Sequence, residues 1–458
     1  MRSNSENNVA NQPWFACALI FVLPILASIL VVTTSPNYRL APSNPLRESP
    51  VGGDFLQEWI GGHIISDGQT SRLYDDRWTR ELQHDPSLLG FGWDEREYYP
   101  MVYPPFYYWL VSPLASLSLP TAATIWCLLN ALAFSTGLAC LAFHLRERLG
   151  NWIWLGAICC FFHPLLLSLN MGQKSGFLLL ILVSNFILLR SGKSFSAGVV
   201  FGLIVFKPHL ALVIGPAMLL KQQYRFAAGV MLPVSLALVA SVSMGAAACG
   251  GFWHVCTGAV SYADNAGYSL ADAHNLWGAC KLLIPDSVSG LRTVVATILV
   301  ALIVWCLGRC LRGKFDTLSD KFSRQYSAMI LATILLSPHF FTYDLGLLLI
   351  PMLLIGSSFA VARSTNVEQV RPQIAHGWAI CIVFVASGLF ASFSATTGFP
   401  FSVAMLCVWM WLLFRDLNPR SKLNDSQTVR DSYSAISSGI CGRKTIAATI
   451  APANGPIT

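Results

Sequence analysis

Charge is what this chain has least of. Of its 458 residues only 12% are Asp, Glu, Lys or Arg, while 54% are hydrophobic and the mean hydropathy is +0.55; soluble domains average ~25% charged residues. That balance excludes an ordinary soluble fold and indicates a polytopic membrane protein. The formal charge of +7 does not build a polyanion groove, because Lys and Arg fall in short clusters between apolar runs, where they act as topology signals. Nucleic acid is therefore not an expected partner. A tight cluster of metal ligands at a recognised spacing is also lacking, so neither a metal nor another cofactor is expected. The thirteen cysteines lack the spacing of a disulfide framework, and most (Cys17, Cys127, Cys140, Cys159, Cys160, Cys306, Cys381, Cys407) lie inside apolar runs, the usual setting of free thiols. Cys249, Cys256 and Cys280 fall in or beside one long loop, where a disulfide has room but no spacing rule asks for one. Short-period repeats and low-complexity blocks are absent as well.

The first apolar run, residues 14 to 32, is too long for a signal-peptide core, and no convincing small-residue cleavage pattern follows it. It reads as a retained transmembrane helix. Residues 1 to 13 then form a short cytoplasmic tail, and residues 35 to 102 the first extracytoplasmic loop. Within that loop Phe55, Trp59, Ile60 and Ile64 recur at helical spacing, predicting a surface helix that lies flat on the membrane with Asp54 at its start. The aromatic-dense stretch 98 to 109 matches an interfacial belt. The apolar run 106 to 119, broken by Pro113 and Pro120, reads as interfacial or re-entrant, and residues 121 to 143 then cross inward to Arg146 and Arg148. Basic clusters alternate with uncharged turns from there on. The segment 195 to 220 begins and ends on the basic side, which two short helices meeting at Lys207-Pro208 satisfy. Residues 248 to 290 form a second extracytoplasmic loop holding Asp264, Asn265, Tyr268, Asp272, His274 and Asn275. A polar cytoplasmic loop at 362 to 373 and a last hairpin complete an all-α transmembrane domain, residues 14 to 415, of about twelve spans with both termini inside. Residues 416 to 458 are polar and Ser-rich and read as a disordered cytoplasmic tail.

This topology gathers Asp54, His63, Lys174, Lys207, His209, His339 and Asp344 on one side of the membrane. Ionisable groups at membrane depth are expensive and are functional candidates by default. Each also has a plainer reading. Asp is a favoured N-cap residue, so capping and catalysis both fit the position of Asp54. Glu58, one turn later, is either a second carboxylate or a solvated surface residue. Lys207, in an interrupted helix pair, suits a phosphate group or snorkels to an interface. His339, after Ser337-Pro338, fits a phosphate ligand or a satisfied interface histidine. Lys174 reads as a simple loop charge, His163 as structural. Asp75-Asp76 lack the acid-x-acid spacing of a nucleotide-sugar metal site and read as a polar turn.

Several segments, in this order, resemble glycosyltransferase family 87, a polytopic family of GT-C architecture. They are Gly53-Asp54-Phe55 with Gly68 and Leu73-Tyr74-Asp75; Tyr103-Pro104-Pro105 with Pro113; Asn170-Met171-Gly172-Gln173; Gly198 and Gly202 with Lys207-Pro208; and Ser337-Pro338-His339 with Tyr343-Asp344. Two places depart from the family pattern, Lys174-Ser175 after Gly-Gln and the continuation Gln57-Glu58-Trp59. The resemblance implies an inverting transfer of a mannose-like hexose from a polyprenyl-phosphate donor to a lipid or glycan acceptor hydroxyl, on the extracytoplasmic face of a membrane, with a bacterial plasma membrane as the setting. Asp54 matches the family's general base. Lys207, with His339 and His209, is then the donor-phosphate set, and Glu58, Tyr74, Gln173 and Tyr343 are further substrate-binding candidates. A transporter or flippase of a lipid-linked saccharide is the competing reading, since it also uses broken helices and midplane charges.

Overall fold

The structure is a computed structural model that describes residues 12–35, 46–47, 50–146, 161–265, 269–313, 315–362 and 370–417. Most of the two expected tails (1 to 13 and 416 to 458, all but residues 12–13 and 416–417), the first part of the expected span 151 to 169, Tyr268 and most of the loop 362 to 373 lie outside them. Among the described residues the chain is almost entirely helical, and the strand content is one parallel pair, β1 (Leu46–Arg47) beside β2 (Gly92–Trp93). The all-α reading holds, but the count of about twelve spans does not. Among the described residues three helical stretches are long and apolar enough to cross a membrane, or four when the pair Ile374–Ala386 and Phe390–Thr397, bent by 81°, is taken as one.

The reason is that many apolar runs are short helices buried against other helices. After α1 (Gln12–Thr34), α2 (Phe55–Ser66) and α3 (Asp76–Gln83), the run behind the aromatic stretch forms α4 (Pro105–Ala115). At about 1.5 Å per residue α4 is roughly 16 Å long, about half the thickness of a ~30 Å hydrocarbon core. Next, α5 (Leu119–His144) is a full-length candidate span. The break foreseen at Lys207-Pro208 is present: α8 (Ser194–Gly202) runs into a 3₁₀ turn, Lys207 stands between turns, and the chain resumes as α9 (Ala211–Leu220). Here α6 denotes His163–Asn170 and α7 Ser175–Arg190. The expected loop 248 to 290 is largely helix, α11 (Ala246–Asn265) after the candidate span α10 (Tyr224–Ser243), and then α12 (Leu276–Leu283). Cys249, Cys256 and Cys280 are free thiols.

Nor does α2 lie flat on a surface. Every residue from Phe55 to Gly62, and Ile64, is buried. Gly61 and Gly62 let α4 approach closely, since a Cβ on Gly61 would enter the Tyr108 ring and one on Gly62 would sit 3.0 Å from the Ser112 backbone. Trp59 Nε1 donates to the Leu117 carbonyl at 3.1 Å. These contacts belong to an aromatic-rich core that includes Phe55, Trp59, Tyr108 and Trp126. A second, larger core gathers Phe186, Tyr326, Met329 and Trp409. Phe206, next to Lys207, packs against both, so the break in the α8–α9 pair sits where the two cores meet.

Candidate active site

Two glycine-bearing loops dock backbone to backbone at this junction. The turn before α2 has Gly52 at φ +81° and Gly53 at φ +56°, and the turn after α6 has Gly172 at φ +66°. Left-handed backbone of this kind is open to glycine and strained for other residues. Space forbids side chains too: a Cβ on Gly53 would lie 2.8 Å from the Met171 carbonyl oxygen, and one on Gly172 would collide with that of Gly52. The Asp54 amide donates to the Met171 carbonyl at 3.0 Å. The second loop is fixed in turn by α5, where Trp126 Nε1 donates to Gly172 O at 2.8 Å and Asn130 Nδ2 to Gln173 O at 2.6 Å.

Asp54 therefore enters α2 on a rigid backbone. It occupies the N-cap position but makes no side-chain capping bond; its Oδ2 accepts from Gln173 Nε2 instead. The carboxyl is only 6% exposed. Burial pushes its pKa up to about 6, against the opposing pull of the Lys174 ammonium, the Gln173 hydrogen bond and Lys207, and with a further push from Asp344. A carboxylate poised there is ionised at neutral pH yet basic enough to accept a proton in a transition state.

Glu58 and Lys174 depart from their expected settings. The solvated glutamate and the simple loop lysine are each fully buried and form one ion pair, Lys174 Nζ donating to Glu58 Oε1. Glu58 Oε2 accepts from the Tyr107 hydroxyl at 2.9 Å, and the ammonium stands 4.0 Å from the Tyr103 ring centroid. A helix face closed over by α4 and the 171–174 turn leaves no water for either charge, so each takes the other.

Lys207 also has a partner, Asp344 Oδ1 at 2.9 Å, with both side chains buried. Asp344 Oδ2 is buried with no hydrogen-bond partner among the described residues, and so are Gln173 Oε1 and His209 Nε2. Buried polar atoms of this kind call for an explanation, and a bound polar ligand supplies one. His209 and His339 approach edge to face at 6.2 Å. Burial, then the nearby Lys207 charge, holds the His339 ring down to about 3, and burial keeps His209 well below its usual range. At neutral pH both are neutral imidazoles, able to offer an N–H to an anion but no charge.

Beside Asp54 lies a cavity of about 450 Å³ whose lining includes Glu97, Tyr98, Tyr99, Asp272 and Tyr343, within the size range of small-molecule sites. Of the sequence candidates, Asp54 and Tyr343 border it, while Gln173 meets it through Asp54. Lys207, Asp344, His209 and His339 cluster on the segments that flank Tyr343, outside its lining. Glu58 is outside as well. Tyr74 stands apart: its hydroxyl donates to the Tyr103 carbonyl at 2.6 Å and its ring packs on Gly251. His63 packs edge-on to Trp59.

Sequence reasoning did not single out Glu97, Tyr98 or Asp272 for the site. In the sequence Tyr98 and Tyr99 read as interfacial anchors, and Asp272 is one polar residue among several in its loop. Asp272 reaches the cavity because Thr342 Oγ1 donates to it at 3.1 Å, and because buried His274, hydrogen-bonded to Ser402 and Thr342, clips the two loops together. Among the described residues no group of three or more His, Cys, Asp or Glu is arranged to hold a metal ion.

The family model for glycosyltransferase family 87 matches residues 101–338. No curated protein and no solved structure matches the chain. The match takes in slightly more than half of the sequence, including the Met171-Gly172-Gln173-Lys174 turn and the Lys207 break that face Asp54, while Asp54 itself lies ahead of it. A helical, membrane-type chain with a buried carboxylate beside a cavity is thus also a member by sequence: it belongs to glycosyltransferase family 87 and is a membrane glycosyltransferase.

Proposed function

We propose that the enzyme moves a hexose, mannose-like, from a polyprenyl-phosphate donor to a hydroxyl of a lipid or glycan acceptor on the extracytoplasmic face, with inversion and with Asp54 as general base. The acceptor oxygen attacks the anomeric carbon while Asp54 takes its proton, and the bond from that carbon to the phosphate oxygen breaks. The lipid phosphate leaves as an anion that needs charge stabilisation rather than a proton donor. Lys207 supplies the positive charge by preorganised electrostatics, and His209 and His339 supply neutral N–H donors.

The observation that carries this reading is the state of Asp54. It is a buried carboxylate whose pKa burial pushes up to about 6, bound to Gln173 through Oδ2 and bordering the cavity. A mere helix cap would be hydrogen-bonded to the α2 backbone, which it is not. Three of the buried polar atoms without hydrogen-bond partners among the described residues, on Gln173, His209 and Asp344, support a polar ligand at the same junction.

The test is transfer from radiolabelled polyprenyl-phosphate mannose to a membrane extract by purified protein. Asp54→Asn keeps the shape and the Gln173 contact but removes the base, and it should lower turnover about 10²- to 10⁴-fold with an unchanged thermal unfolding profile. Full transfer by that variant would overturn the assignment, and transport of the lipid-linked sugar without transfer would favour a flippase.

A further inference from the structure

Asp54 and Glu58 stand one helical turn apart, so they share a face of α2. Opposite them, Gln173 and Lys174 follow each other on the glycine-locked turn. The result is a ladder of two rungs, Asp54 with Gln173 and Glu58 with Lys174. The second rung is as buried as any part of the molecule, with Glu58 0% and Lys174 1% exposed. It does not border the cavity. Stability alone does not account for it either, because a buried ion pair often gives no more stability than a packed apolar pair of similar volume. An apolar pair would, however, leave the neighbouring carboxylate without the cation that pulls on it most strongly.

We propose that Glu58–Lys174 is a positioning pair for the base: Lys174 keeps Asp54 anionic in its sealed pocket, and Glu58 anchors that lysine and moderates its field. The proposal rests on the reading of Asp54 given above. The other groups that act on Asp54 are Gln173, Lys207 from the α8–α9 break, and Asp344, with the Tyr99 hydroxyl and Glu58 coupled to it from their own elements. Lys174 exerts the strongest downward pull among them. Lys207 acts less strongly and is tied to Asp344.

Infrared titration of the full-length protein in detergent reads this directly. The carboxylic C=O band that disappears in Asp54→Asn identifies the group, and in unsubstituted protein it should titrate near pH 6. Lys174→Met should move its midpoint up by about one pH unit. Glu58→Gln should move it down, and Glu58→Gln/Lys174→Met should return most of the way. The acid limb of kcat/KM should follow the same order. A pair with only a structural role would weaken both single variants without opposite movements of the midpoint, and that pattern overturns the proposal. Should Lys174→Met fail to fold, Glu58→Gln and the double variant decide: a midpoint unmoved in Glu58→Gln is equally fatal. Transfer by Asp54→Asn, measured alongside with polyprenyl-phosphate mannose, separates the two readings. If it persists, the base assignment falls; if it is lost while the midpoints stay fixed, only the pair's role falls.

Discussion

At the scale of single residues the chemistry turns on how burial sets protonation. Asp54 is lifted to about 6 because its charged form has lost water, and the cations around it recover only part of that cost. Below that pH the carboxyl holds a proton and cannot accept another; above it the carboxylate is free to act. Transfer should therefore rise with pH through a limb centred near 6, and kcat/KM measured across that range should show it. The residual activity of Asp54→Asn should have no such limb. Lys207 and Asp344 form a buried ion pair whose coupling stability can read. Removing one member strands a buried charge, so Lys207→Met should cost about 3–5 kcal/mol, whereas Lys207→Met/Asp344→Asn should cost far less. Thermal unfolding in detergent distinguishes the two, and equal losses would mean that the pair carries no coupling.

Elements matter here for where they stop. The turns ahead of α2 and after α6 meet through Gly53 and Gly172, and there is no room between them for a methyl group. Gly172→Ala should force the turns apart, misplacing Gln173 and Asp54 together. Because a shift of about 1 Å can cost around 10² in rate, transfer should fall by about that factor while the helices persist by circular dichroism. Gly90→Ala is the control. Gly90 has a similar φ of +81° but open space around it, so it should show backbone strain and little loss of transfer. Similar activities in the two variants would show that the docking of the turns is irrelevant to the site. The break at Lys207-Pro208 works the same way, since an unbroken helix would not bring a lysine to the junction of the two cores.

For the whole molecule, the decisive element is α5. Its 26 residues extend roughly 39 Å at about 1.5 Å each, enough to cross the bilayer, with the Gly172-Gln173 turn held on its first half by Trp126 and Asn130 and Arg146 just past its C-terminus. Single cysteines at Glu95 and Arg146 should therefore react with an impermeant thiol reagent from opposite sides of sealed vesicles, Glu95→Cys from the extracytoplasmic side. Labelling of both from one side would overturn the orientation and the extracytoplasmic placement of transfer with it. The two cores also explain why hydropathy counted too many spans. Helix α13 (Asp320–Leu336) is apolar over most of its length because it is enclosed by other helices, with Phe322 and all residues from Gln325 to Leu335 buried.

Composition and order alone determined the class of the molecule, the interruption at Lys207-Pro208 and the family-like series of motifs around Asp54, because each is a local property of consecutive residues. They also placed Asp54 at the start of a helix. Tertiary structure alone decided which polar residues are buried and what they pair with. Glu58 reads as solvated and Lys174 as a loop charge until α4 and the glycine turns close over them, since burial is set by what packs against a residue and not by its neighbours in sequence. Asp54 likewise changes from a plausible cap to a sealed carboxylate only when the turn at Met171 and Gln173, more than a hundred residues away, takes its hydrogen bonds. A span count fails for the same reason: lipid and protein interior are equally apolar, and only three-dimensional packing tells which of them a hydrophobic helix faces.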